Sequence, residues 1–258
     1  MKRRLTLFML IVLCAGSLSP IASAEPKTVT SEDILNHVDD LFRGNSSFAT
    51  MTMTVVTQHY SREMTMEAWS MGKDHSLVRI LTPLKEKGTA TLKAGNNIWN
   101  YLPKVKRVIK IPSSMMGASW MGSHFTNDDL IKESRMADDY THSITFDGTR
   151  DGDAVIDLEL IPKPQAAVVW GKVMVTVRKN DWIPIQIDYY GERLDLVRTM
   201  VFSDIREMGG RLLPATLRID PTDKPDEHTE IVYKEIAFDI DIEESFFSLR
   251  TLRSEEMP

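Results

Sequence analysis

The sequence predicts a mainly β (α+β) fold: a single strongly curved antiparallel sheet, covered on its concave face by a few helices and a loop. Three observations predict it. From Ser47 onward, segment after segment alternates apolar and polar residues with a period of two. Short turns join these segments, such as Asp151-Gly152-Asp153, Pro162-Lys163-Pro164, Asn180-Asp181 and Gly209-Gly210, so successive strands are antiparallel neighbours. No strand–helix–strand spacing occurs, which removes a parallel α/β sheet. A sheet of roughly eleven to thirteen strands must curl or close to hide its edges.

In chain order, Thr30-Ser31-Glu32-Asp33 is an N-cap followed by acidic residues, and Ile34, Val38, Leu41 and Phe42 follow at helical spacing before Gly44. An amphipathic helix is expected over residues 31–43. Met51, Met53 and Val55 then alternate with Thr50, Thr52 and Thr54. In the next strand Met64, Met66 and Ala68 share one side and Thr65, Glu67, Trp69 and Met71 the other. Leu77 to Leu81 is a third strand. Thr89–Leu92 and Ile98–Leu102 form a hairpin around Gly95-Asn96-Asn97. Val105 to Ile111 is read as a strand with Val105, Arg107, Ile109 and Ile111 on one side. Thr126-Asn127-Asp128-Asp129 opens a helix expected over 127–135. Strands resume at 142–147, 154–161, 168–179, 182–190, 194–205, 211–219 and 229–238. Glu243 to Leu249 reads as one helical turn that plugs Phe246 and Phe247 into a sheet edge.

Composition bounds the class. Of 258 residues, 42% are hydrophobic and 26% charged, ordinary values for a globular chain. No window reaches the ~20 apolar residues of a membrane span. Lys2-Arg3-Arg4, the apolar run Leu5–Ala15 and the site Ala22-Ser23-Ala24 make residues 1–24 an expected secretory leader, with the mature chain starting at Glu25 and forming one domain over 25–258. An uncleaved anchor and a lipoprotein signal using Cys14 are the weighed alternatives; Pro20 and Leu13 oppose them. Cleavage removes the only cysteine and leaves 28 basic against 37 acidic residues, a net charge of −9. That balance opposes nucleic acid as a partner. The expected location is the periplasm, and the expected state a monomer.

The stretch Asn96–Ile131 organises the chain. After the basic strand, Pro112–Phe125 is apolar, aromatic and glycine-punctuated, with neither helical nor strand periodicity. Such a segment covers something or is itself covered. The mature chain also carries 13 methionines. Methionine is flexible and polarizable and suits a surface that accepts guests of varied shape, although it also fills cores. The candidate cavity and lid residues are Met51, Met53, Met64, Met66, Trp69, Trp99, Tyr101, Met115, Met116, Trp120, Met121 and Phe125. Lys104, Lys106, Arg107 and Lys110 form a basic patch, either a reader of anionic groups or a lysine-protected strand edge. Arg107, on the side of Ile109 and Ile111, is the candidate head-group contact.

Catalytic patterns do not assemble. The six histidines are scattered, without metal-ligand spacing. Gly117-Ala118-Ser119-Trp120-Met121 lacks the final glycine of a nucleophile elbow. Asp147–Asp153 starts like a calcium loop, but Leu158 stands where the twelfth-position glutamate belongs. Asp128-Asp129 suits a helix start. Neither an enzyme nor a cofactor is expected.

Trp99, Tyr101, Leu102 and Pro103, then Met116, Gly117, Gly122, Phe125, Asp129 and Leu130, resemble the outer-membrane lipoprotein-sorting protein family, which is similar to the LolA and LolB carriers. Upstream Pro83, Lys87-Gly88-Thr89-Ala90 and Leu92, and downstream Trp170-Gly171-Lys172-Val173, Ile183-Pro184-Ile185, Tyr189-Tyr190, Leu213-Pro214 and Thr229-Glu230-Ile231, fall in the same order. The resemblance implies an open half-barrel closed by helices. It implies carriage of lipid or lipoprotein acyl chains, with an inner-membrane transporter as donor and an outer-membrane acceptor. The alternatives are an interaction subunit docked on a lipid-exporting transporter without its own cavity, and a periplasmic hydrolase.

Overall fold

The computed structural model describes residues 29–132, 136–166 and 168–254. The expected leader over 1–24, its cleavage site and Cys14 lie outside the described residues.

Helix α1 (Ser31–Asp40) starts where the sequence places it. The Thr30 side chain accepts from the Asp33 N–H and the Asp33 carboxylate accepts from the Thr30 N–H, a reciprocal capping box. It ends three residues earlier than expected, and the Gly44 N–H, at φ +57°, closes on the Asp40 carbonyl at 3.1 Å. Six strands follow: β1 (Ser46–Val56), β2 (Ser61–Met71), β3 (His75–Thr82), β4 (Ala90–Ala94), β5 (Asn97–Leu102) and β6 (Arg107–Lys110). After α2 (Asp129–Lys132) and α3 (Met136–Asp139) come β7 (Tyr140–Arg150), β8 (Asp153–Pro162), β9 (Lys172–Arg178), β10 (Pro184–Tyr190), β11 (Leu196–Met208), β12 (Arg211–Pro221) and β13 (His228–Phe238). Helix α4 (Leu249–Arg253) closes the described chain.

All thirteen strands form one antiparallel sheet in the order β6-β5-β4-β3-β2-β1-β13-β12-β11-β10-β9-β8-β7. It is two meanders, β1–β6 and β7–β13, joined where β1 pairs with β13. The sheet is not closed into a barrel; β6 and β7 are its two edges. This ordering explains the irregular middle of the sequence. The chain leaves one edge at Lys110 and must re-enter at the opposite edge at Tyr140. Twelve strand spacings of about 4.8 Å separate those edges along the sheet, so the connection crosses the concave face and becomes its cover.

The main core lies between that face, α1 and the cover. Met51 pairs across β1 and β2 with Met66, and Met53 with Met64, all with side chains inward. Their neighbours Phe48 and Trp69 point the other way, as period-two alternation requires. A second cluster occupies that opposite face: Leu77, Ala90, Leu92 and Tyr101 beneath Phe247 and Leu252.

Three expectations need correction. Residues 103–105 form a 3-10 turn and Lys106 takes φ +50°, so β6 begins at Arg107, because Pro103 has no N–H for the ladder. The strand expected over 168–179 starts only at Lys172. The C-terminal segment does not plug an edge. It lies across the outer face of β3–β5, where buried Arg79 donates to the Thr251 and Leu252 carbonyls at 2.8 and 3.4 Å and to the Ser254 carbonyl.

Candidate ligand-binding site

A cavity of about 210 Å³ lies between the concave face, α1 and the cover. Its sheet wall includes Ala49 and Met51 from β1, Ala68 from β2, Ile187 from β10 and Phe202, Leu217 and Ile231 from β11–β13. Val38 and Phe42 close it from the α1 side, and Trp120, Phe125, Leu130 and Met136 from the cover side. One end is polar: Asp39, Arg43, Ser47, Ser70 and Ser76. There the Ser47 and Ser70 hydroxyls lie 2.7 Å apart, and the buried Asp39 carboxylate faces Lys73 Nζ at 4.0 Å. A larger volume, about 610 Å³ around Lys73, Asp74, His75 and Arg211, is an open polar surface cleft.

The cover's tip is a tight loop. Ser119 bridges Thr126, and the Trp120 N–H donates to the Phe125 carbonyl at 2.8 Å, so both rings enter the cavity from one loop. Met121 and Gly122, with φ +50° and +69°, turn the chain between them. Discrete polar bonds hold the loop down. Trp120 Nε1 donates to Thr91 Oγ1 at 3.0 Å, Tyr60 Oη donates to the Gly122 carbonyl at 3.0 Å, and Arg62 donates to the Met121 carbonyl. His124 Nδ1 lies 2.8 Å from Thr229 Oγ1, and its Nε2 lies 3.2 Å from Glu227. The Gln58 N–H and, next, His124 hold the Glu227 carboxyl below the usual range. At the end of the loop Arg198 from β11 binds Asp129 in a two-bond fork and also donates to the His124 carbonyl at 2.8 Å. Near the same pair, burial and then the charges of Asp128, Asp139 and Asp129 raise the Tyr140 phenol above its ordinary value.

The structure distributes the sequence candidates over four places. Met51, Trp120 and Phe125 line the cavity and Trp69 also borders it, while Met53, Met64 and Met66 are fully buried on the same face, behind its wall. Trp69, Trp99 and Tyr101 send their rings to the outer cluster, where Trp69 packs on Phe48 and Phe246. Met116 joins Ile98, Ile111 and Leu130 in a small satellite cluster, and Met121 packs partly on the main core. Met115 is 47% exposed. Arg107 is exposed on edge strand β6, away from the cavity lining. It alternates with Val108 along β6 and is exposed like Ile109, whereas Val105, expected on the same side, lies in the preceding turn. Candidates from the second meander were missed, although Phe202, Leu217 and Ile231 each sit in period-two runs that could have marked them. Arg198–Asp129 gave no local signal.

Among the described residues, no group of three or more His, Cys, Asp or Glu side chains could hold a metal ion, and no helix is long and apolar enough to cross a membrane.

The geometry defines a LolA-like fold: an open antiparallel half-barrel with a covered concave face. Solved structures share it. An outer membrane lipoprotein-sorting protein domain from Vibrio parahaemolyticus has a TM-score of 0.75 at 24% identity, over 86% of this chain and 98% of that one. A DUF1329 family protein from Desulfovibrio piger gives 0.76 at 22%, over 86% and 97%. A LolA superfamily protein from Nitrosomonas europaea gives 0.74 at 20%, over 87% and 100%. The resemblance read from the Trp99–Leu130 residues holds at the level of fold. A family model whose description reads "Uncharacterized protein" matches residues 72–254, and the chain belongs to that family. No curated relative matches the chain.

Proposed function

We propose that the protein is a periplasmic carrier for lipid or lipoprotein acyl chains: a processed chain from Glu25 onward, one binding domain, acting by burial and not by catalysis. The observation that carries this reading is the cavity of about 210 Å³ between Met51, Phe202, Leu217 and the cover residues Trp120 and Phe125. An acyl chain gains about 0.8 kcal/mol per methylene removed from water, and apolar walls supply that gain without any reactive group. The names of the structural relatives, lipoprotein-sorting and LolA superfamily, favour the same cargo class.

The volume also says how the carrier works. At about 210 Å³ the cavity exceeds the ~150 Å³ that accepts benzene in an engineered core. It falls short of the ~300–1,000 Å³ of ordinary small-molecule sites. A space of that size takes the end of a chain; a whole chain requires the cover to move. The tip of the cover suits that motion: among the described residues, hydrogen bonds and two aromatic plugs hold it, while the Arg198–Asp129 pair anchors the cover's end. A transporter in the inner membrane and an acceptor at the outer membrane are the partners this role requires.

Two measurements test the reading. Mass spectrometry of the purified protein should find co-purifying lipid, and delipidated protein should bind a fluorescent fatty-acyl probe with micromolar or tighter affinity. Absence of both would overturn it.

A further inference from the structure

The chain is acidic overall, yet residues 83–116 hold seven basic residues and one acid. Six of the seven, Lys85, Lys87, Lys104, Lys106, Arg107 and Lys110, are exposed. The structure adds what the linear patch concealed. In an antiparallel meander alternate connections share one end of the sheet, so the β3–β4 loop meets the β5–β6 turn. The two lie close together: a Cβ added at Gly88 would come within 3.6 Å of the Pro103 ring. Lys85 and Lys87 thus join the cations that follow Pro103. The single acid, Glu86, is taken by Arg62 at 3.1 Å.

Apolar side chains stand among these charges. Leu84 is 86% exposed at the loop tip and Val105 59% exposed in the turn, with Leu102 and Ile109 exposed on the adjoining strands. Lys110 lies 5.7 Å from the Trp99 ring; the other five cations are exposed among aliphatic groups, at positions the core does not need. They match a bilayer interface, where lysines meet anionic head groups and aliphatic tips enter the acyl boundary. The acidic loop that carries Asp223, Asp226 and Glu227 lies beyond β1, beside Gln58, so the cationic zone is confined to the β3–β6 side.

We propose that this end of the sheet is a docking surface for an anionic lipid bilayer, with Leu84 and Val105 inserted and Lys85, Lys87, Lys104, Lys106 and Arg107 on the head groups. It is independent of what the cavity carries. It has one consequence for the cover: Arg62, which holds Glu86 on the docking loop, also holds Met121 at the cover's tip.

The test is co-sedimentation of the chain beginning at Glu25, which keeps every described element, with phosphatidylcholine vesicles with and without phosphatidylglycerol. Binding to anionic vesicles alone is expected, with loss in high salt. Replacing Lys104, Lys106 and Arg107 with Gln should lower partitioning by roughly a hundredfold, about fivefold per charge, while Gln at Lys179, Lys224 and Lys234 should not. Val105→Asp should also weaken binding, and all variants should keep acyl-probe affinity. Equal binding to neutral vesicles, no binding to anionic ones, indifference to the triple change, or capture of a soluble acidic protein in place of vesicles would each overturn the proposal.

Discussion

Arg198 in β11 grips Asp129 at the start of α2, with Nη2–Oδ1 at 2.6 Å and Nη1–Oδ2 at 2.8 Å, although 69 residues separate them. Only 4% and 5% of the two side chains remain exposed. The guanidinium lies 4.5 Å from the Trp170 ring and 4.2 Å from the Tyr189 ring. This pair ties the cover's end to the second meander, across the cavity from the first.

Breaking that pair should be costly because a buried charge loses its counterion. Asp129→Ala or Arg198→Ala should each destabilise the protein by about 3–5 kcal/mol, and the double change to apolar residues should recover part of the loss. Urea unfolding of the four members of a double-mutant cycle measures this.

Ala49 and Ala68 face each other across β1 and β2, and both line the cavity. Ala49→Leu should fill part of the space, lowering acyl-probe affinity at least tenfold for a stability cost of about 1–3 kcal/mol. Titration beside thermal melting separates the two effects.

Trp120 is buried at the cavity's cover side with its indole N–H on Thr91. Its emission should change when an acyl chain enters, and Trp120→Phe should abolish most of that change. Trp120→Ala should weaken binding. Met116→Asp should weaken it indirectly, by placing a charge among Ile98, Ile111 and Leu130 and loosening the cover. Fluorescence titration of the three variants checks this.

Glu227 is held below its ordinary value by the Gln58 N–H first and His124 second. A lowered carboxyl stabilises the fold fully above its unfolded value, about pH 4.3, and loses that contribution as pH falls through the native value. Glu227→Gln should therefore melt earlier than the parent near neutrality, with the difference vanishing in acid. Melting curves across that range decide it.

Tyr140 behaves oppositely. Burial, then Asp128, Asp139 and Asp129, raise its phenol. Its contribution is whole below the unfolded value of about pH 10 and is lost as pH rises toward the native one. Tyr140→Phe should flatten the alkaline decline in stability, as denaturant midpoints above that pH would reveal.

Much of the fold was legible because alternation is a local property. Spacing alone put Met51 with Met53, and Met64 with Met66, on one side of their strands, and Thr30–Asp33 announced a helix start. The site was legible only in part. Trp69 and Met66 stand three residues apart on the same strand, β2, yet one packs beneath the C-terminal segment and the other in the main core. Alternation separates two faces without saying which one encloses space.

The amino-acid order by itself determined the strands, their antiparallel succession, the amphipathic α1 and the irregular 112–125 segment, because neighbouring residues suffice to set backbone and periodicity. Only the tertiary structure decided that β1 pairs with β13, that Arg198 finds Asp129, that Lys87 joins Lys104 at one end, and that about 210 Å³ stays unfilled. Those four facts depend on distances between residues far apart in the chain, which no local pattern encodes.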